Sequence, residues 1–139
     1  MDIRFLAPGD EALLIDAVRL TDEDVPSPAQ ATAHLADRDL VNIVALDAGR
    51  VVAFIYGHVL RRFEATSLFI YSVDTAPTHQ RRGLAKAMLK ALAAEGRTGR
   101  WDEMFVFTNR GNPAAMALYA SAGGVRPPPD DVVMFDFEL

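Results

Sequence analysis

One segment constrains the fold more than any other: residues 67–95, where a strand, a basic glycine-bearing loop and an amphipathic helix follow one another without a break. SLFIYSVD (67–74) reads as a strand buried on both faces, with Phe69, Tyr71 and Val73 on one side and Leu68 and Ile70 on the other. Pro77 stops it. THQRRG (78–83) follows, and from about Arg82 to Glu95 the residues Ala85, Met88, Leu89 and Leu92 recur at helical spacing. A helix start presents backbone N–H groups without internal partners and the positive end of the helix dipole. The junction is therefore a cradle for a pyrophosphate. Gly83 lets the backbone approach the ligand, and Arg81 and Arg82 supply charge-assisted hydrogen bonds. Ala85 is small where a larger side chain would crowd the ligand or the strand. Neither G-x-G-x-x-G nor G-x-x-x-x-G-K-[ST] occurs, so this is not a dinucleotide fingerprint or a Walker loop.

The rest of the chain arranges strands and helices around this unit. DIRFL (2–6) is a short strand ended by Pro8 and Gly9, and Asp10 is placed to cap a helix reaching about Leu20. Ser27-Pro28-Ala29-Gln30 has the form of a capping box with proline at the first helical position, opening a helix to about Arg38. VNIVALD (41–47) and VVAFIYGHVL (51–60) form an antiparallel hairpin across Asp47-Ala48-Gly49-Arg50. EMFVFT (103–108) is a further strand. Asn112-Pro113 opens a helix that ends near Ala122, with Gly123-Gly124 just past it. PPPDD (127–131) is a stiff loop, and VVMFDFE (132–138) is expected to be the last strand. The order β-α-α-β-β-β-α-β-α-β, without repeats or linkers, suits one domain over residues 1–139 of class α/β or α+β.

Composition removes several classes of function. The chain has no cysteine, which excludes disulfides, thiolate metal sites and cysteine nucleophiles. His34, His58 and His79 do not stand at metal-ligand spacing, so no metal is expected. A net charge of -5 argues against nucleic acid as the main partner and favours cationic ligands such as amines. The opening MDIRFLAPGDEALL is not a signal peptide, and no apolar run is long enough to span a membrane, so the cytoplasm is the expected location.

Gln80-x-x-Gly83-x-Ala85 matches the Q/R-x-x-G-x-G/A pattern of GNAT N-acetyltransferases, and Asn112 through Tyr119 (NPAAMALY), closed by Gly123-Gly124, matches their second signature in the right order. The chain is thus identified as a member of the GNAT superfamily. RRFE, FIYSVDTAPTHQRRGLA, NPAAMALY and DDVVMFDFE further resemble its aminoglycoside 3-N-acetyltransferase branch over about two thirds of the chain, from Val51 to Leu139. The resemblance implies a single mixed, mostly antiparallel twisted sheet flanked by helices, with a splayed central strand pair. It implies acetyl-coenzyme A as co-substrate and direct transfer of the acetyl group to an amine within a ternary complex. The cofactor would lie on the backbone of Val73, Asp74 and Thr75, on the loop Gln80, Arg81, Arg82 and Gly83, on the helix start Leu84, Ala85 and Lys86, and on Asn112 and Tyr119. Residues 103–108 would form the other wall of the wedge.

In the same resemblance Tyr119 protonates the departing coenzyme A thiolate. The branch carries an aspartate as general base right after the strand tyrosine, where this chain has Ser72. Asp74, two residues on, and Glu64, before the strand, are the candidates to replace it. The ATSL lead-in lacks the acid expected there, and Arg110 stands where the branch is acidic, while Asp130, Asp131 and Asp136 remain near the C-terminus. The expected substrate is a small-molecule amine, smaller than an aminoglycoside, although an aminoglycoside stays open. A protein or peptide N-terminus and a non-catalytic acyl-coenzyme A sensor are the rival readings. A homodimer is also left open.

Overall fold

The computed structural model describes residues 1–139. Five strands form one sheet in the order β1 (Asp2–Phe5), β2 (Leu40–Asp47), β3 (Arg50–Arg61), β4 (Thr66–Thr75) and β5 (Glu103–Val106). Neighbours are antiparallel except β4 and β5, which run parallel. Helices α1 (Glu11–Val18) and α2 (Pro28–Ala36) cover one face, and α3 (Leu84–Glu95) and α4 (Pro113–Ser121) lie on the other. No helix is long and apolar enough to cross a membrane.

The two layers explain why β2 and β3 are apolar almost without interruption. Ile43, Ala45 and Ile55 pack under Met88, Leu89 and Leu92 of α3. Val44, Leu46, Phe54 and Tyr56 pack under Leu14 and Ala17 of α1 and Ala31 and Leu35 of α2. Local chemistry sets the helix starts. Ser27 Oγ accepts from Gln30 N–H at 3.1 Å while Gln30 Oε1 accepts from Ser27 N–H at 2.8 Å, closing the capping box before α2. Asp10, by contrast, does not cap α1 with its side chain. Its carboxylate accepts from Ala7 N–H and pairs with Arg4, so tertiary partners on the β1 side take the oxygens a cap would use.

Two further expectations are corrected. The first concerns β4. Tyr56 of β3 pairs with Ser72, but the next residue, Gly57, pairs with Ile70, so Tyr71 is an extra residue in β4. This bulge shifts the alternation. Tyr71 stays with Phe69 on the α1/α2 face, whereas Val73 passes to the other face and packs against the α3 core with Leu68 and Ile70. Gly57 is required here: a Cβ would stand 2.4 Å from the Phe69 carbonyl oxygen.

The second concerns the C-terminus. Residues 132–138 do not form a strand, and no residue after Trp101 is fully buried. A strand needs a neighbour for its backbone groups, and none lies beside this segment in its own chain.

Candidate active site

The candidate phosphate loop is the stretch of chain between β4 and α3. A single 3-10 turn, Pro77–His79, carries the backbone away from β4, and α3 starts at Leu84, two residues later than the sequence spacing predicts. Arg81 and Gly83 both have positive φ, +63° and +76°, which curls residues 80–83 into a concave loop. The N–H groups of Gln80 through Lys86 donate to no acceptor in the protein, and the first bond of the helix is Ala87 N–H to the Gly83 carbonyl. Nothing lies within 4 Å of the point where a Gly83 Cβ would stand. Arg81 and Arg82 are exposed and form no ion pair, although Arg82 lies close enough to Asp47 to help lower its pKa. The chain therefore presents a row of free donors and two uncommitted guanidinium groups over open space, which fits a diphosphate.

Two contacts hold this loop in place. The Gln80 amide donates to the Thr75 carbonyl at 3.3 Å, tying the loop to the end of β4. His79 Nε2 bonds Asp47 Oδ2 at 2.7 Å, tying it to the β2–β3 hairpin. That hydrogen bond, with the histidine's charge, holds the Asp47 carboxyl below the usual range.

β4 and β5 pair only from Ser67 with Glu103 to Ile70 with Val106, and β4 then continues alone to Thr75. Tyr71, Ser72, Val73, Asp74 and Thr75 therefore have no β5 partner on that side. Beside this gap stands Tyr119, half-buried at the margin of the α3 core. Burial first, and the Asp74 charge second, push its phenol above the ordinary value, so it is a neutral proton donor at pH 7. Gly124 N–H closes the end of α4 on the Tyr119 carbonyl at 2.8 Å. Asn112 caps α4, its Oδ1 accepting from Ala115 N–H at 3.1 Å.

The bulge at Tyr71 brings Ser72 and Asp74 to the α1/α2 face, where Ser72 Oγ donates to Asp74 Oδ2. Asp74 is half-buried. Desolvation raises its pKa, the Ser72 hydrogen bond opposes this, and the charges of Asp22 and Glu23 raise it further. Glu64 is not brought here. It lies exposed in the turn beyond the Arg61–Thr66 pair, and Thr66 is eight strand residues from Asp74, roughly 27 Å.

On the same face of the sheet a cleft of about 340 Å³ lies between the α1–α2 connection and β3, and Asp74 is not among the residues that line it. Glu23, Asp24, His34, Tyr56 and His58 supply its polar lining, and Leu14, Val18 and Phe54 its apolar floor. Tyr56 donates its hydroxyl to Glu23 Oε2, and burial together with that partner raises its pKa. His34 Nε2 bonds the buried Asn42 Oδ1 at 2.9 Å. None of these lining residues is marked by a motif. The one signal in the sequence is the acidic run Asp22-Glu23-Asp24 between two helices, which could equally be solvated. Arg110 faces elsewhere, bonding both the Asp130 carbonyl at 2.7 Å and its Oδ2 at 2.9 Å. No three His, Asp or Glu side chains are grouped to hold a metal ion.

The model of the acetyltransferase (GNAT) family matches residues 11–123. Comparison with curated proteins finds no match. Among solved structures, the fold is similar to an aminoglycoside acetyltransferase, meta-AAC0020, from an uncultured soil metagenomic sample, in complex with sisomicin. The two share 22% identity at a TM-score of 0.88, covering 99% of this chain and 95% of that one. A second aminoglycoside acetyltransferase from such a sample, HMB0005, shares 26% identity at a TM-score of 0.84, covering 99% and 97%. AAC(6')-Iy, in complex with the bisubstrate analog CoA-S-monomethyl-acetylneamine, shares 18% identity at a TM-score of 0.80, covering 99% and 97%.

Proposed function

Since this chain belongs to the GNAT acetyltransferase family and is an N-acetyltransferase, we propose that it moves the acetyl group of acetyl-coenzyme A directly onto a small cationic amine held in the cleft beside Asp74. The diphosphate rests on the free N–H groups of residues 80–86 with Arg81 and Arg82 beside it. The pantetheine arm enters the gap past Ile70 and hydrogen-bonds the unpaired β4 backbone at Val73, Asp74 and Thr75. Asn112 borders the arm while capping its helix.

The observation that carries the reading is that Asp74 stands where β4 has left β5, half-buried and hydrogen-bonded by Ser72, with its pKa raised by burial first and then by the charges of Asp22 and Glu23. An alkyl ammonium has a pKa near 10, so the acceptor must lose a proton before it attacks. Asp74, directly or through a water, takes that proton. The amine nitrogen then forms a bond to the thioester carbonyl carbon, the carbon–sulfur bond breaks, and Tyr119 gives its proton to the leaving thiolate. Asp22, Glu23 and Asp24 attract the cation to the cleft.

Substrate size follows from the cleft. About 340 Å³ is at the small end of ligand pockets, which span roughly 300–1,000 Å³. Asp130 is shared by Arg110 and Arg126 and offers no free charge to a polycation. A mono- or diamine therefore suits the site better than an aminoglycoside, and the cytoplasm, where acetyl-coenzyme A is available, is the setting. The test is kcat/KM for acetyl transfer to simple mono- and diamines, a peptide N-terminus and gentamicin-like aminoglycosides. A diamine is expected to rank highest. An aminoglycoside in first place would overturn the size argument, and no turnover with any amine would overturn the acceptor assignment.

A further inference from the structure

The loop that receives the diphosphate has little holding it from within. The N–H groups of Gln80 through Lys86 bond no acceptor in the protein, and Gly83 caps α3 without a side-chain bond. Arg81 sits at φ +63°, a conformation that costs an L-residue energy. The concave shape is therefore not one this stretch keeps by itself. A loop that must be ordered at the moment of binding subtracts that entropy from affinity, and a loop held ready does not.

Its outside anchors are few. Ala76 N–H donates to the Val52 carbonyl at 2.8 Å, and the Gln80 amide reaches back to the Thr75 carbonyl at 3.3 Å. Both act where the chain leaves β4. The loop's side chain that reaches a separate part of the fold is His79. Its Nε2 stands 2.7 Å from Asp47 Oδ2, and its Nδ1 2.8 Å from Thr78 Oγ1. With the proton on Nε2 both contacts are satisfied, Nε2–H donating to the carboxylate and Nδ1 accepting from the threonine hydroxyl. The His79 side chain is only 15% exposed, so the ring is lodged against the protein rather than free in solvent.

Asp47 is a firm post for this contact. It ends β2 and pairs with Arg50 across a two-residue turn in which Ala48 and Gly49 both have positive φ, the geometry of a tight hairpin. The strands behind it are buried along most of their length. Arg82 lies close enough to help lower the Asp47 pKa, but the carboxylate is engaged by His79 and Arg82 stays unpaired.

We propose that His79 and Asp47 are a positioning pair, which holds residues 80–83 in the shape that receives the diphosphate and so sets the affinity for coenzyme A. The inference rests on the diphosphate being bound at residues 80–86. Neither residue belongs to the Gln80-x-x-Gly83-x-Ala85 signature, and Asp47 stands 32 residues before its partner in the chain.

Isothermal titration with coenzyme A tests the pair. His79→Ala and Asp47→Ala are each expected to weaken binding by about tenfold, the loss that accompanies one hydrogen bond to a charged group. Because they act through one contact, the double variant is expected to lose no more than the larger single loss. His79→Gln keeps an N–H donor for Asp47 and is expected to restore affinity to within about threefold of the native protein. Pantetheine, which lacks the diphosphate and the nucleotide, is the second probe. Its affinity is expected to be the same in all these proteins, whereas a general structural defect would lower it together with that of coenzyme A. Native coenzyme A affinity in a folded His79→Ala protein, a loss that His79→Gln does not restore, or an equal loss for pantetheine would each overturn the pair's role. Gly83→Asp separates this from the cofactor assignment. Unchanged affinity there would remove the diphosphate from residues 80–86, and the inference with it. A loss there beside an unaffected His79→Ala would leave the diphosphate in place and overturn the positioning pair alone.

Discussion

Ser72 donates its hydroxyl to Asp74 Oδ2 across a single intervening residue of β4, and it does so on the cleft face only because Tyr71 is bulged out of register with β3. The serine stands where the resembling branch carries its base. Here it holds the carboxylate of Asp74, the proposed base, two residues further along.

Asp74→Asn removes the proposed proton acceptor and keeps an oxygen for Ser72. A general base contributes about 100- to 10,000-fold, so kcat should fall by about 100-fold or more while acetyl-coenzyme A affinity changes little. In the native enzyme, activity should fall on acidification with a midpoint above the ordinary aspartate value, since Asp74 is raised from 3.8. The variant should lack that limb in a pH–rate profile.

Stability should move the other way. Because the folded-state pKa of Asp74 lies above its unfolded value, this group's contribution is fully present below the unfolded pKa and is lost as pH rises through the folded one. At pH 7 the ionised carboxylate weakens the fold. Asp74→Asn is therefore expected to melt at a higher temperature than the native protein at pH 7, with the gain vanishing near pH 3. A lower melting temperature at pH 7 would contradict this.

Tyr119→Phe deletes a proton donor and preserves the ring packed at the edge of the α3 core. Turnover limited by chemistry should drop by about 100-fold or more, with coenzyme A affinity nearly intact. Equal losses in affinity and turnover would instead make the hydroxyl a binding group.

Gly83→Asp places a charged side chain in the open space above the cradle and forces an L-residue to φ +76°. Gly83→Ala separates the two effects, because it carries only the backbone cost of about 1 kcal/mol. Calorimetric affinity for coenzyme A should fall at least tenfold more in the aspartate variant than in the alanine one.

Gly57→Ala should destabilise the protein without touching either ligand, since its Cβ would meet the Phe69 carbonyl at 2.4 Å. Overpacking of this kind costs about 1–3 kcal/mol, a fall in melting temperature of roughly 5 °C or more.

Residues acting within three or four positions of one another were legible from the sequence. The capping box at Ser27, the Asn112 cap and the Asp47–Arg50 turn, with Ala48 and Gly49 at positive φ, depend only on short-range donors, acceptors and backbone sterics. The concave loop at Gln80–Lys86 is equally local, because a strand end, a glycine at positive φ and a helix start suffice to make it. Long-range pairing decided the rest. The Tyr71 bulge depends on how β4 meets Gly57 of β3, so simple alternation put Val73 on the wrong face. Asp10 gave up its cap for Arg4 and Ala7. Asp22 and Glu23 reach Asp74 only when the α1–α2 connection folds over the sheet, and Glu64, nearer in sequence, is carried to the far end of the hairpin. Residues 132–138 have the apolar pattern of a strand, but a strand exists only where another backbone completes its hydrogen bonds, and the single chain provides none.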